Sequence, residues 1–162
     1  MAAIGDIPDS IYLIQEPYFN NKGRPGVRKP SQLFYSKSDA RAAIYVSALQ
    51  SFKFVPMPQF TERDISVGII EGGCLESSTI IASIYLDRHF PTILPAMKEL
   101  VDFCIMQKKR LICGIDCNAH SPLWGSPDTN KRGEALEDFL FLKNLFVHNR
   151  HGEDSEEKVD QL

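Results

Sequence analysis

The sequence predicts a chain of the α/β (α+β) class, a sandwich of strands with helices on its outside, and three observations carry that reading. Short apolar runs rich in β-branched and aromatic residues recur between residues 11 and 86, separated by turn-forming residues. A stretch at 92–107 then repeats apolar residues at three- and four-residue steps, and a wholly apolar run, LICGI, follows at 111–115. Several paired strands, then helix, buried strand, helix and strand, is an order in which helices cover sheets.

The first run, IYLIQ at 11–15, stops at Glu16-Pro17, and a proline cannot continue a central ladder, so it reads as a buried strand with a carboxylate at its tip. A Gly/Pro-rich loop at 20–31 leads to strand candidates QLFYS (32–36), AAIYVS (42–47), KFVPM (53–57), DISVGII (64–70) and STIIASIYL (78–86), with EGGC (71–74) as a hairpin turn between the last two. Strands joined by short turns imply antiparallel pairing. In 92–107, Ile93, Leu94, Met97, Leu100, Val101 and Cys104 form one face of an amphipathic helix. LICGI reads as a fully buried strand, the stretch from Gly133 to Leu142 as a second helix burying Leu136, Phe139 and Leu140, and LFVHN (145–149) as a last short strand.

With 162 residues and 43% hydrophobic content the chain is expected to form one domain, over 1–150, followed by an acidic, disordered tail at 151–162. No apolar run reaches membrane-spanning length and the first ten residues do not resemble a signal peptide. Cys74, Cys104, Cys113 and Cys117 have no framework spacing, so reduced thiols are expected. These readings imply a soluble intracellular protein, in cytoplasm or nucleus. A net charge of −3 excludes a protein that grips nucleic acid mainly by bulk positive charge, leaving local contacts. Lys22, Arg24, Arg28 and Lys29 form one basic patch that such contacts could use, and Lys108, Lys109 and Arg110 another, although either also reads as a solvated loop.

The segment GIDCNAHSPLWG (114–125) is the most informative, because Asp116 and Asn118 leave the end of a buried strand two residues apart and would project to one side. Such a pair suits phosphodiester hydrolysis: Asp116 can align or deprotonate an attacking water, and the Asn118 amide can orient that water or a phosphate oxygen. The plainer reading is a turn in which both side chains bond their own backbone. Glu16, at its strand tip, is a candidate Mg²⁺ ligand or a solvated carboxylate. Tyr85 can bond a phosphate through its hydroxyl or anchor in the core. Cys113, Cys117 and His120 also have zinc-like spacing, but tetrahedral zinc needs a fourth ligand or an open position, and Cys113 lies inside a strand.

In order along the chain, LIQEPY (13–18), RAAIYVS (41–47), SIYL (83–86), GIDCNAHSPLWGS (114–126) and TNKRGEALEDFL (129–140) resemble the endonuclease domain of non-LTR retrotransposons. That is a branch of the endonuclease/exonuclease/phosphatase superfamily. The resemblance covers residues 11 to about 149. It implies an incomplete two-sheet sandwich flanked by helices, the deoxyribonuclease I-like fold, and a Mg²⁺-dependent endonuclease, with Mn²⁺ as a substitute, that nicks DNA to prime reverse transcription. Position by position, it makes Glu16 the metal-binding glutamate, Tyr85 the active-site tyrosine, and Asp116 and Asn118 the pair that positions water and phosphate. His120, Trp124 and Asn130 match residues expected to shape the loop beside the site. Arg41 reads as a phosphate contact or, at a strand start, as solvent-exposed. DNA and a reverse transcriptase domain of the same element are the implied partners.

The family's domain opens with a strand bearing an Asn at the metal site and closes with strands bearing an Asp and a Ser-Asp-His triplet. Neither segment occurs in these 162 residues, and none of His89, His120, His148 and His151 follows a Ser-Asp pair. The expectation is therefore a domain truncated at both ends. Losing a general acid or base typically costs about 10²- to 10⁴-fold in rate. A catalytically inert remnant acting as an interaction domain is the alternative.

Overall fold

A computed structural model describes residues 7, 9–19, 31–37, 39–47, 51–72 and 78–148. The chain divides into two compact units, Met1–Cys117 and Asn118–Leu162. The basic patch Lys22 to Lys29 and the acidic tail at 151–162 lie outside the described residues, as do residues 73–74 of the expected turn at 71–74, whose first two residues continue a strand.

The first unit is a sandwich of two sheets. One contains β1 (Ile11–Gln15), β2 (Gln32–Phe34) and β3 (Ala42–Val46), with β3 in the middle and both pairings antiparallel. The other runs β4 (Phe52–Pro56), β5 (Ile65–Gly72), β6 (Thr79–Tyr85), β7 (Arg110–Asp116), with antiparallel pairs except for the parallel β6–β7. Antiparallel neighbours close with short turns, whereas a parallel pair needs a crossover. The helix α1 (Pro95–Met106) supplies it. Pro56 is tolerated because β4 is an edge strand.

Alternation along the strands decides what each face meets. Ile44 and Val46 of β3 and Ile81 of β6 form the core between the sheets, with Ile11, Leu13, Phe34, Phe54 and Ile70 packed around them. Phe34 meets Phe54 across the gap at 4.7 Å between ring centroids. The space for the Phe54 ring comes from Gly68, where a Cβ would lie 2.1 Å from the ring's Cζ. Fully burying an isoleucine such as Ile44 stabilises the fold by roughly 1.5–3 kcal/mol. Ile80, Ala82 and Ile84 point to the opposite side of β6 and are buried too, so this interior strand is apolar on both faces. On α1, Ala96, Met97, Leu100, Val101 and Cys104 are buried, and Phe60 of the 3₁₀ turn Pro58–Phe60 meets Phe103 at 5.1 Å.

The sandwich and both helices occur in the order the sequence predicts, with corrections to their extent and burial. LICGI is not fully buried: in β7, Ile112 is 58% exposed, because among the described residues β7 has a strand neighbour on one side only. LFVHN is not a strand, since residues 145–148 are irregular and no described strand pairs with them, while residue 149 lies outside the described set. The first helix starts at Pro95 rather than 92, because the residue before a proline avoids helical backbone and Leu94 is extended at ψ 140°.

The close approach of the sheets at one end depends on Gly114 in β7. A Cβ there would lie 2.9 Å from Leu13 Cδ1 and 3.0 Å from Leu13 Cβ, so β1 reaches β7 only because that position has no side chain. Gly114→Val is expected to lower unfolding free energy by about 1–3 kcal/mol, the usual range for an overpacked core. Urea unfolding of the variant checks this, and unchanged stability would mean that the contact is not tight.

Candidate active site

The two sheets are joined by polar bonds at the end where β1, β6 and β7 finish. Gln15 Nε2 donates to Ser83 Oγ and to the Gly114 carbonyl, both at 3.0 Å, and Ser83 Oγ donates to the Ile14 carbonyl at 2.8 Å. Ser83 is fully buried, and these bonds satisfy its hydroxyl. A seam of backbone bonds continues beyond the clamp. Glu16 N donates to Arg41 O at 2.8 Å, Arg41 N to Arg63 O at 2.7 Å, Tyr85 N to Asp64 O at 2.9 Å, and Leu86 N to Asp116 O at 2.8 Å.

Glu16, Tyr85 and Asp116 thus leave their strands at the same end of the sandwich. Glu16 is one residue past Gln15, while Tyr85 and Asp116, register partners on β6 and β7, are two past Ser83 and Gly114. Glu16 and Asp116 are exposed and Tyr85 is half-buried. Glu16 has a left-handed backbone, φ 51°, held by its bond to Arg41. For a residue other than glycine this conformation costs about 1–3 kcal/mol and persists only where the surroundings enforce it, typically at functional sites.

Arg41 corrects the sequence reading. It is not solvent-exposed: its side chain is 17% exposed, its Nε and Nη2 bond both Asp64 oxygens at 2.7 and 2.8 Å, and its Nη1 bonds Asp87. Its guanidinium carbon lies 4.7 Å from the Tyr85 ring centroid. The hydrogen bond to Asp64 is the main influence that raises the Arg41 pKa against the effect of burial, and the Arg41 hydrogen bond holds the Asp87 carboxyl below its ordinary range. Gln15, Ser83, Asp64 and Asp87 were not singled out from the sequence. The available signal was a polar residue at the edge of an apolar run for Gln15, Asp64 and Asp87, and a lone serine inside one for Ser83.

The second unit opens at Asn118, exposed and also left-handed at φ 45°, a conformation asparagine tolerates. Its carbonyl accepts from Arg132 Nε at 3.2 Å. The following loop is tied to helix α2 (Lys131–Leu142). Asn130 is the N-cap, its Oδ1 accepting from Gly133 N at 2.8 Å and His120 N at 3.2 Å, so the helix begins at Lys131 rather than at Gly133. Trp124 Nε1 donates to the Ala119 carbonyl at 3.0 Å, the buried Ser121 hydroxyl donates to Glu137, and His120 Nδ1 lies 2.9 Å from Asp128 Oδ1. A Cβ at Gly133 would lie 1.8 Å from the His120 carbonyl oxygen, so only glycine lets the loop rest there. His120, Trp124 and Asn130 therefore shape this loop.

Glu16 and Asp116 are exposed residues that carry carboxylates, the donor chemistry Mg²⁺ prefers, and Mg²⁺ takes only one or two such ligands beside water and phosphate oxygens. Among the described residues, no group of three or more His, Cys, Asp or Glu is placed to hold a metal by itself. Burial pushes the Cys104 thiol up to about 11 and the Cys113 thiol up to about 12, Cys104 adding to the latter. Zinc needs the thiolate, which these surroundings disfavour.

The profile of the endonuclease-reverse transcriptase family matches residues 79–160, just over half of the chain, and the chain belongs to that family. Its fold is that of a non-LTR retrotransposon endonuclease domain. The solved endonuclease domain of TRAS1, a telomere-specific non-LTR retrotransposon, superposes with a TM-score of 0.69 at 28% sequence identity, over 86% of this chain and 61% of that one. The chain thus spans less than two thirds of the length of that relative. No curated protein matches it.

The two thiols make a pH prediction. An unfolded cysteine ionises near 9.0, whereas these keep their protons to about 11 and about 12, so at intermediate pH the folded chain binds more protons than the unfolded one. Their contribution is complete below pH 9 and is lost as pH rises through the folded values. Urea unfolding at pH 8 and pH 10.5 should show a fall that is smaller in the Cys104→Ala/Cys113→Ala double variant. Equal falls would contradict burial of the thiols.

Proposed function

We propose that the chain is the nuclease part of a non-LTR retrotransposon and hydrolyses a DNA phosphodiester with Mg²⁺, leaving a nick that primes reverse transcription. The observation that carries this reading is the convergence of Glu16, Tyr85 and Asp116 at strand ends stitched together by one hydrogen-bonded seam, in a chain of endonuclease family. Asp116 aligns a water and takes its proton as the water oxygen bonds phosphorus and the bond to the leaving sugar oxygen breaks. The Tyr85 hydroxyl donates to a phosphate oxygen, and the family resemblance assigns the Asn118 amide the orientation of a water or a phosphate oxygen. Glu16 would hold the Mg²⁺ with Asp116 beside it. Bound there, the ion supplies charge stabilisation to the phosphate oxygens. Mn²⁺ would serve in its place.

DNA is the substrate this reading implies, and a reverse transcriptase of the same element the partner, with nucleus or cytoplasm as the compartment. Contacts to DNA are local, since the net charge is −3. Among the described residues no helix is long and apolar enough to cross a membrane.

The test is nicking of supercoiled plasmid. These 162 residues contain no Ser-Asp-His segment, so by themselves they are expected to nick slowly, only with Mg²⁺ or Mn²⁺, and not at all as Asp116→Ala. Glu16→Ala should need far more Mg²⁺. Nicking that survives Asp116→Ala would place the chemistry elsewhere, and no nicking at any Mg²⁺ concentration would favour an inert interaction domain.

A further inference from the structure

We propose that Arg41 is a positioning residue for Tyr85, its guanidinium clamped by Asp64 and Asp87 and laid over the phenol ring so that the hydroxyl is presented in one orientation at the strand end. The proposal rests on the reading of Tyr85 as a site residue.

The anchors lie on either side of Tyr85. Asp64 accepts the Tyr85 backbone N–H at 2.9 Å through its carbonyl while its carboxylate takes the bidentate fork at 2.7 and 2.8 Å. Asp87 is two residues beyond Tyr85, and besides binding Arg41 it accepts from His89 N at 2.8 Å, which fixes the turn that leaves β6. Arg41 itself is the residue whose carbonyl receives Glu16 N. One residue therefore meets both segments, its main chain bonding Glu16 and its guanidinium covering Tyr85.

The chemistry of the residue fits that task. Arginine is planar and presents donors in a fixed fork, so two carboxylates determine the plane of the guanidinium as well as its place. A plane set 4.7 Å from a ring centroid restricts that ring and attracts its π face. Lysine would retain the charge but not the plane. Shielding charges from water, as in this half-buried cluster, is also a costly way to gain stability alone. Here all three side chains are no more than 17% exposed, and two carboxylates share one cation. Three of its five N–H donors bond Asp64 and Asp87, and the guanidinium plane they fix covers the Tyr85 ring.

The test uses the 162-residue chain labelled with ¹³C at tyrosine Cζ, and the readout is the Tyr85 chemical shift and line width at neutral pH. A ring held in one orientation under the guanidinium gives one sharp signal. Arg41→Gln removes the cation and the clamp, so the Tyr85 signal should shift and broaden. Arg41→Lys keeps the charge without the fork and should also shift the Tyr85 signal, while Tyr12 and Tyr45 stay unmoved. Should Arg41→Gln fail to fold, Arg41→Lys decides by itself. A Tyr85 signal unchanged in the folded variants would overturn the proposal. Nicking by Tyr85→Phe, measured alongside, separates the two readings: undiminished nicking removes the catalytic role of Tyr85 while a shifted signal still upholds the coupling.

Discussion

The arrangement depends first on a polar clamp in an apolar place. Two sheets packed through Ile44, Val46 and Ile81 would be free to slide by a fraction of a residue, because apolar contact has no direction. The Gln15 amide and the Ser83 hydroxyl remove that freedom. They tie β1 to β6 and β7 through bonds of 2.8–3.0 Å inside the sandwich, where leaving any one group unpaired would cost about 1–3 kcal/mol. Gly114 is the complementary requirement, since a side chain there would keep Leu13, and with it β1, at a distance.

Rigidity at that end is then extended outward. Backbone bonds run from Glu16 to Arg41, from Arg41 to Arg63, from Tyr85 to Asp64 and from Leu86 to Asp116, and the Arg41 guanidinium bonds Asp64 and Asp87. Phosphoryl transfer leaves little covalent work to a protein and depends on placing charges and donors, so fixed strand ends suit it. The strained backbone of Glu16 is supported by this seam. In the second unit Asn118 is supported separately, by Arg132, and its loop by the Asn130 cap and by Gly133.

Much of this was legible in the sequence where local chemistry and global fold agree. The β-branched runs became β3, β5 and β6, and the three- and four-residue repeat of Met97, Leu100, Val101 and Cys104 became the buried face of α1. Glu16, Tyr85 and Asp116 were singled out because each stands at the end of an apolar run and lies in a segment that resembles the family's motifs. Burial depends on neighbours rather than on composition, which is why LICGI read as fully buried although Ile112 is exposed, and why LFVHN read as a strand without a partner. Arg41 was misjudged for a related reason. Its two carboxylates come from positions 23 and 46 residues away, and no local pattern brings Asp64 and Asp87 to it.

The central claim is that the ends of β1, β6 and β7 form one metal-assisted site for a DNA phosphate. Paramagnetic broadening by Mn²⁺ in the presence of a short DNA duplex reads this directly, since the effect is confined to amides near the ion. The account predicts that the amides of Glu16, Tyr85 and Asp116 broaden together at the lowest Mn²⁺ concentrations and recover in Glu16→Gln. Broadening centred on other carboxylates, such as Glu71 or Glu134, with these three amides untouched, would contradict it.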